Sequence, residues 1–182
     1  MLEVEMKFKV TMPERTLEQL RMLGFLPGDK LVENDRYYNA PDRDFAKTDE
    51  ALRIRQVEDS SLLTYKGPKL GEKGKVRKEH EVQLAEGSAP MMHQILLDLR
   101  YEPSIEVNKE RIPYYHPAQK DIEIAWDEVQ GLGTYIELEL KVPEGDQAEA
   151  LLCLQYLAES MELKEEERRS YLQLLLLQHA SK

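Results

Sequence analysis

The chain has 182 residues, enough for one domain with a real core, and 41% of them are hydrophobic, which excludes an intrinsically disordered chain. Thirty-five acidic against twenty-five basic side chains leave a formal charge of −10. That balance excludes bulk attraction to nucleic acid or to an anionic membrane, so an anionic ligand needs a local basic cluster.

Residues 2–10 alternate strictly, with Leu2, Val4, Met6, Phe8 and Val10 on one face and Glu3, Glu5, Lys7 and Lys9 on the other, the period of a β-strand. This start carries no apolar leader, and no run of eighteen apolar residues occurs, so a cytoplasmic protein without a membrane partner is expected. Residues 13–23 set Leu17, Leu20 and Leu23 at helical spacing before Gly24, where a helix stops. Strands are predicted over residues 31–39 and 51–58, divided by the turn Ala40-Pro41-Asp42, and over residues 62–66, ending at Gly67-Pro68.

Residues 67–76 have the glycine and lysine content of a loop, and alternation resumes over residues 76–84. Met91, Met92, Ile95, Leu96 and Leu99 mark a helix over residues 90–99. Three further strands follow at residues 105–115, 121–127 and 134–142, then helices at residues 147–161 and 165–178. Cys153, the single cysteine, excludes an intramolecular disulfide, and among its neighbouring leucines it is expected to be a buried thiol. Leu172 and Leu174 to Leu177 form an apolar face expected to cover the sheet, with a homodimer seam as the alternative. Few helical crossovers among eight strands predict an α+β fold with a closed eight-stranded antiparallel β-barrel and flanking helices, in one domain over residues 1–182.

Charge occupies one face of nearly every strand. Lys7, Lys9, Arg53, Arg55, Lys66, Arg77, Lys109 and Arg111 share the charged faces with Glu3, Glu5, Glu79, Glu81, Asp127, Glu137, Glu139 and Lys141. A solvated sheet face explains any one of these strands. Taken together, positions that solvated sheets fill with Thr, Ser, Asn and Gln are here almost purely ionic. If the sheet closes, the charges line a lumen, and that many cations repel one another unless a highly charged anion such as a triphosphate lies among them. Arginine forks and lysine point charges suit successive phosphoryl groups. The acids call for a divalent cation, because Mg²⁺ and Mn²⁺ take oxygen ligands shared between carboxylates and phosphates.

This ordered set resembles the CYTH superfamily of triphosphate tunnel enzymes, which includes class IV adenylyl cyclases and thiamine triphosphatases. The resemblance rests on Glu3-x-Glu5-x-Lys7, Asp35-Arg36-Tyr37, Arg53 with Arg55, and Lys66 before Gly67-Pro68. It continues through Arg77-x-Glu79-x-Glu81, Lys109-x-Arg111, Asp127-Glu128-Val129 with Gly131-Leu132-Gly133, and Glu137-x-Glu139. It implies an eight-stranded tunnel in which Glu3, Glu5, Glu137 and Glu139, with Asp127, hold Mg²⁺ or Mn²⁺ and the eight cations bind triphosphate. It also implies Lys7 and Glu139 as the catalytic residues. Gly131-Leu132-Gly133 and Arg169-Ser170-Tyr171 are most similar to the class IV cyclase-like branch, with conversion of ATP to cyclic AMP and pyrophosphate. Hydrolysis of thiamine triphosphate or inorganic triphosphate is the alternative, and a non-catalytic polyphosphate or nucleotide binder the second. Tyr37, Tyr38, Tyr114, Tyr115 and Trp126 are candidates to stack on a base or a thiazolium, with core or rim packing as the competing use. Glu79 and Glu81 are read as partners of neighbouring arginines before they are read as general bases.

Overall fold

The structure, a computed structural model, describes residues 2–69 and 75–180. The strands are β1 (Leu2–Lys9), β2 (Leu26–Pro27), β3 (Leu31–Asn39), β4 (Ala51–Val57), β5 (Ser60–Lys66), β6 (Lys75–Arg77), β7 (Glu79–Leu84), β8 (Glu102–His116), β9 (Gln119–Val129) and β10 (Gly133–Val142). The helices are α1 (Pro13–Met22), α2 (Phe45–Thr48), α3 (Ala89–Asp98), α4 (Gln147–Ser160) and α5 (Tyr171–Ala180).

Every ladder is antiparallel, and the strands follow the order β6-β1-β10-β9-β8-β3-β4-β5-β7, with β2 added against β8. The two ends of that path are the two parts of one predicted strand, residues 76–84, divided at Lys78. One part pairs with β1 and the other with β5, so the sheet curls until a single chain segment serves both ends. The ladders therefore give a strongly curled antiparallel α+β sheet whose ends are joined through this segment, and among the described residues no ladder pairs β1 directly with β5. The loop predicted over residues 67–76 lies partly outside the described residues, at 70–74.

The alternation of β1 leaves little of either face to solvent as far as Phe8: the apolar face is buried, and so are Glu3 and Lys7 on the charged one, with Glu5 half-buried. Leu2, Val4, Met6 and Phe8 join Ile124, Trp126, Ile136 and Leu138 in a cluster roofed by Leu20 of α1 and Leu154, Leu157 and Ala158 of α4. Glu3 and Lys7, pointing the other way, are 7% and 1% exposed. Transfer of the outward apolar face from water is the main stabilising term, at roughly 25 cal/mol per Å². A smaller cluster of Tyr38, Phe45, Leu52, Ile54 and Leu96 packs under α3. A third, formed by Tyr37, Val107, Val129, Tyr135, Tyr171, Leu174 and Leu175, seats α5 against the sheet. The last helix thus covers the sheet, as its leucines suggested.

Two expectations change. Cys153 is exposed, because the face of α4 turned to the sheet carries Ala150, Leu154, Leu157 and Ala158, and position 153 falls outside that stripe. The final helix begins at Tyr171, six residues later than predicted. Glu166 instead forms a bridge with Phe8, and the amide of Glu167 donates to the carbonyl of Lys7 at 2.7 Å. This segment covers the edge of β1 that β6, paired only with Glu3 to Glu5, leaves open.

Candidate functional site

The concave face of the sheet encloses a cavity of about 230 Å³. β1 contributes Glu3, Glu5 and Lys7; β4, Arg53 and Arg55; β5, Thr64 and Lys66; and the segment 75–84, Arg77, Glu79 and Glu81. β8 contributes Lys109 and Arg111, β9 Glu123, and β10 Glu137, Glu139 and Lys141, while Ser170 to Gln173 of the last helix and its approach close over the space. The predicted charged faces thus converge on one interior. Lys9 and Asp127 do not line it. Lys9 is exposed and lies 5.9 Å from the Tyr135 ring, and Asp127 is wholly buried behind the lining.

Register brings the acids together. Glu5 stands opposite Glu139, and Glu139 opposite Glu123, so three carboxylates form one row across β1, β10 and β9. Like charges in such a row destabilise the sheet. Burial and the neighbouring Glu3 push the Glu139 carboxyl up to about 7, with Glu5 adding to this and Lys141 and Lys66 opposing it. Burial likewise raises Glu3, against the pull of Lys66. Hard oxygen donors under mutual repulsion are a donor set that a divalent cation suits. The chelate itself is not preformed: among the described residues no group of three His, Cys, Asp or Glu side chains is arranged to hold a metal ion.

The cations are held by acids set behind them. Arg55 donates to Asp35 through Nε at 2.6 Å and Nη2 at 2.7 Å, and Arg53 donates to the same carboxylate at 3.0 Å. Burial alone would raise the Asp35 carboxyl, but the two guanidinium groups hold it well below the usual carboxylate range. Glu33 contacts Arg55 at 3.0 Å and Lys109 at 3.2 Å and is lowered despite its burial by Lys109, Arg111 and Arg55. Arg111 forms a fork on Asp127 and reaches Glu137 at 2.5 Å. Lys66 binds Glu3 and Glu79, and Arg77 lies 3.6 Å from Asp49. Glu79 and Glu81 thus find Lys66 and the Thr64 hydroxyl as partners, where arginines were expected.

Of the aromatic candidates, Tyr37 alone reaches the lining; Tyr38, Tyr114 and Trp126 are core, and Tyr115 is exposed. Sequence reasoning passed over Glu33 and Glu123, although Glu33 shares a strand face with Asp35 and Glu123 one with Asp127. It also missed Tyr171 as an interior residue. The signal was present: Ser170-x-x-Gln173 is a capping box, in which the Ser170 amide donates to Gln173 Oε1 at 2.9 Å and the Gln173 amide to Ser170 Oγ at 3.1 Å. It starts the helix at Tyr171 and turns that ring inward. Asp49, lining the cavity from a left-handed position after α2, had no comparable signal.

A curled antiparallel sheet with cations and carboxylates converging on its concave face sets the class of this domain. The chain belongs to the CYTH domain family, whose model matches residues 1–171. It is 38% identical over 152 residues, 84% of each chain, to the Methanocaldococcus jannaschii protein named "Putative adenylate cyclase MJ0240". The PH1819 protein of Pyrococcus horikoshii OT3 has the same fold with a TM-score of 0.88 and 39% identity, over 97% of this chain and 99% of that one. A Hippeastrum protein, HpAC1, described as an adenylyl cyclase candidate with a dominant triphosphatase activity, shares the fold at a TM-score of 0.65 and 14% identity, over 98% and 95%. Among the described residues no helix is long and apolar enough to cross a membrane.

Proposed function

We propose that the chain is a metal-dependent enzyme acting on a triphosphate, and that its reaction is conversion of ATP to cyclic AMP and pyrophosphate. The observation that carries the triphosphate is the convergence of Lys7, Arg53, Arg55, Lys66, Arg77, Lys109 and Arg111 on one cavity with a row of carboxylates across it. The relative named as an adenylate cyclase supports cyclisation.

Glu3, Glu5, Glu137 and Glu139 are the residues to hold Mg²⁺ or Mn²⁺, and Asp127, behind the lining and engaged by Arg111, leaves that set. A divalent cation bound there supplies Lewis-acid polarisation of a phosphoryl oxygen. Arg53 and Arg55, pre-aimed by Asp35, bind phosphate oxygens through the N–H groups that Asp35 leaves, at little reorganisation cost. Lys7, 1% exposed and opposite Glu137 in the ladder, neutralises oxygen charge at the reacting phosphorus. The last helix and its approach cover the cavity and limit water.

The second reading is hydrolysis of thiamine triphosphate or inorganic triphosphate. One observation favours inorganic triphosphate: Tyr38, Tyr114 and Trp126, which would stack on a base or a thiazolium, are spent in the core. Incubation of the purified protein with ATP, and in parallel with thiamine triphosphate and inorganic triphosphate, each with Mn²⁺ and product identification, tests both. Cyclic AMP with pyrophosphate supports the proposal; inorganic phosphate without cyclic AMP replaces it with the second reading, and turnover of no triphosphate defeats both.

A further inference from the structure

The interior extends past the cavity lining to a second layer, and one of its members comes from α5. Asp127 accepts Arg111 Nε on Oδ1 at 2.6 Å. Its Oδ2 accepts three donors: Arg111 Nη2 at 2.5 Å, Lys109 Nζ at 3.3 Å and the Tyr171 hydroxyl at 2.9 Å. The face of the Tyr171 ring also lies 3.9 Å from Lys7 Nζ and 5.3 Å from Lys109 Nζ. One side chain from the first turn of α5 therefore touches two lysines of the phosphate-facing surface and the acid that sets a third cation.

We infer that Tyr171 is a positioning residue: its hydroxyl on Asp127 fixes the Arg111 fork, its ring seats the ammonium groups of Lys7 and Lys109, and docking of α5 thereby becomes a condition for tight triphosphate binding. The inference rests on the reading of the cavity as a triphosphate site. A carboxylate offers about four acceptor positions, and the orientation of a bidentate guanidinium follows that of the carboxylate plane. Three donors on Oδ2 hold that plane; without the hydroxyl, the group and the fork attached to it turn toward the remaining two. The ring adds attraction between its electron-rich face and the ammonium of Lys7. The arrangement is rigid before any ligand arrives, because the capping box holds the first turn of α5 while Leu174 and Leu175 anchor the next.

Packing alone would also place a tyrosine in this cluster, so the test separates the hydroxyl from the ring. Inorganic triphosphate is titrated calorimetrically with Mn²⁺ into the wild type, Tyr171→Phe, Tyr171→Leu, Arg111→Lys, and the double Tyr171→Phe/Arg111→Lys. Tyr171→Phe keeps the ring, so its melting temperature stays within a few degrees of the wild type while triphosphate binds about tenfold more weakly, the worth of one buried hydrogen bond. Tyr171→Leu, which loses the ring as well, binds more weakly still. In the double variant the phenylalanine adds little to the loss from Arg111→Lys, because the hydroxyl acts through that fork. Wild-type affinity in Tyr171→Phe, or losses that multiply in the double variant, would reduce Tyr171 to packing. A wild type that binds no triphosphate removes the reading of the cavity, and this role with it.

Discussion

The ammonium of Lys66 donates to both carboxylate oxygens of Glu3, at 3.0 and 3.2 Å, joining β5 to β1, two strands that share no ladder. Arg111 of β8 likewise reaches Glu137 of β10, on Oε2 at 2.5 Å, and within β10 Lys141 lies 3.4 Å from Glu139 Oε1. Carboxylates suited to a metal are thus occupied by cations, two of them suited to phosphate. On the proposed function, metal on the acids and triphosphate on Lys66 and Arg111 would each remove the charge the other leaves unpaired, so positively coupled binding is expected.

Lys66→Ala separates the two halves of this exchange. It frees Glu3 for a cation and deletes a phosphate contact. Mn²⁺ alone, titrated at pH 8, is expected to bind about 3-fold to 10-fold tighter than to the wild type, and inorganic triphosphate at least about 10-fold more weakly. Affinities that fall together would rule out the exchange.

Glu139 titrates close to neutrality. Its carboxyl lies at about 7 in the folded chain and near 4.5 when unfolded. The folded state therefore binds the extra proton between those values, and its penalty is absent below about pH 4.5, grows as pH rises, and is complete above about pH 7. Metal-free Glu139→Gln should be more stable than the wild type at pH 8 by about 1–3 kcal/mol, with the difference vanishing at pH 4. Wild-type affinity for Mn²⁺ should rise between pH 6 and 8, with proton release measurable in buffers of different ionisation enthalpy. A pH-independent affinity would count against Glu139 as a ligand.

Asp35 makes the opposite contribution. Its folded pKa is depressed by Arg53 and Arg55, so the stability it supplies is present above its unfolded value near 3.8 and is lost as pH falls through the folded one. Glu33 acts in the same direction. Melting temperature should therefore drop as pH is lowered from 4 toward 2. Asp35→Asn, which leaves two buried guanidinium groups short of a counterion, should cost about 3–5 kcal/mol at pH 7 and flatten this acid limb in denaturant titrations.

Cys153 should behave as a surface thiol. An aromatic disulfide reagent is expected to modify the native protein at a rate close to that of the unfolded chain, and Cys153→Ser should change stability by less than about 0.5 kcal/mol. Protection until unfolding would contradict the exposed position.

Much of the fold and site was legible because β alternation is local. Glu3, Glu5 and Lys7 share a face by covalent geometry, and so do Arg53 with Arg55 and Glu137 with Glu139. The same rule, applied to Asp127 and Lys9, names the face and stops there: it does not say that three donors enclose Asp127 behind the lining or that Lys9 lies past the end of the cavity. Cys153 was misread because a leucine-rich helix does not reveal from composition which stripe meets the sheet. A helix predicted from residue 165 starts only at Tyr171, because Glu166 and Glu167 pair with the edge of β1.

By itself, the sequence determined where most strands lie and which faces their charges occupy, since both follow from spacing along the chain, and its ordered motifs carried the resemblance to the family. Only the tertiary structure decided which charges meet. The curl of the sheet puts Glu3 beside Lys66, ladder register aligns Glu5, Glu139 and Glu123, and the packing of α5 brings Tyr171 to Asp127. Those contacts depend on distances between segments far apart in sequence, and electrostatic energy depends on that separation in space.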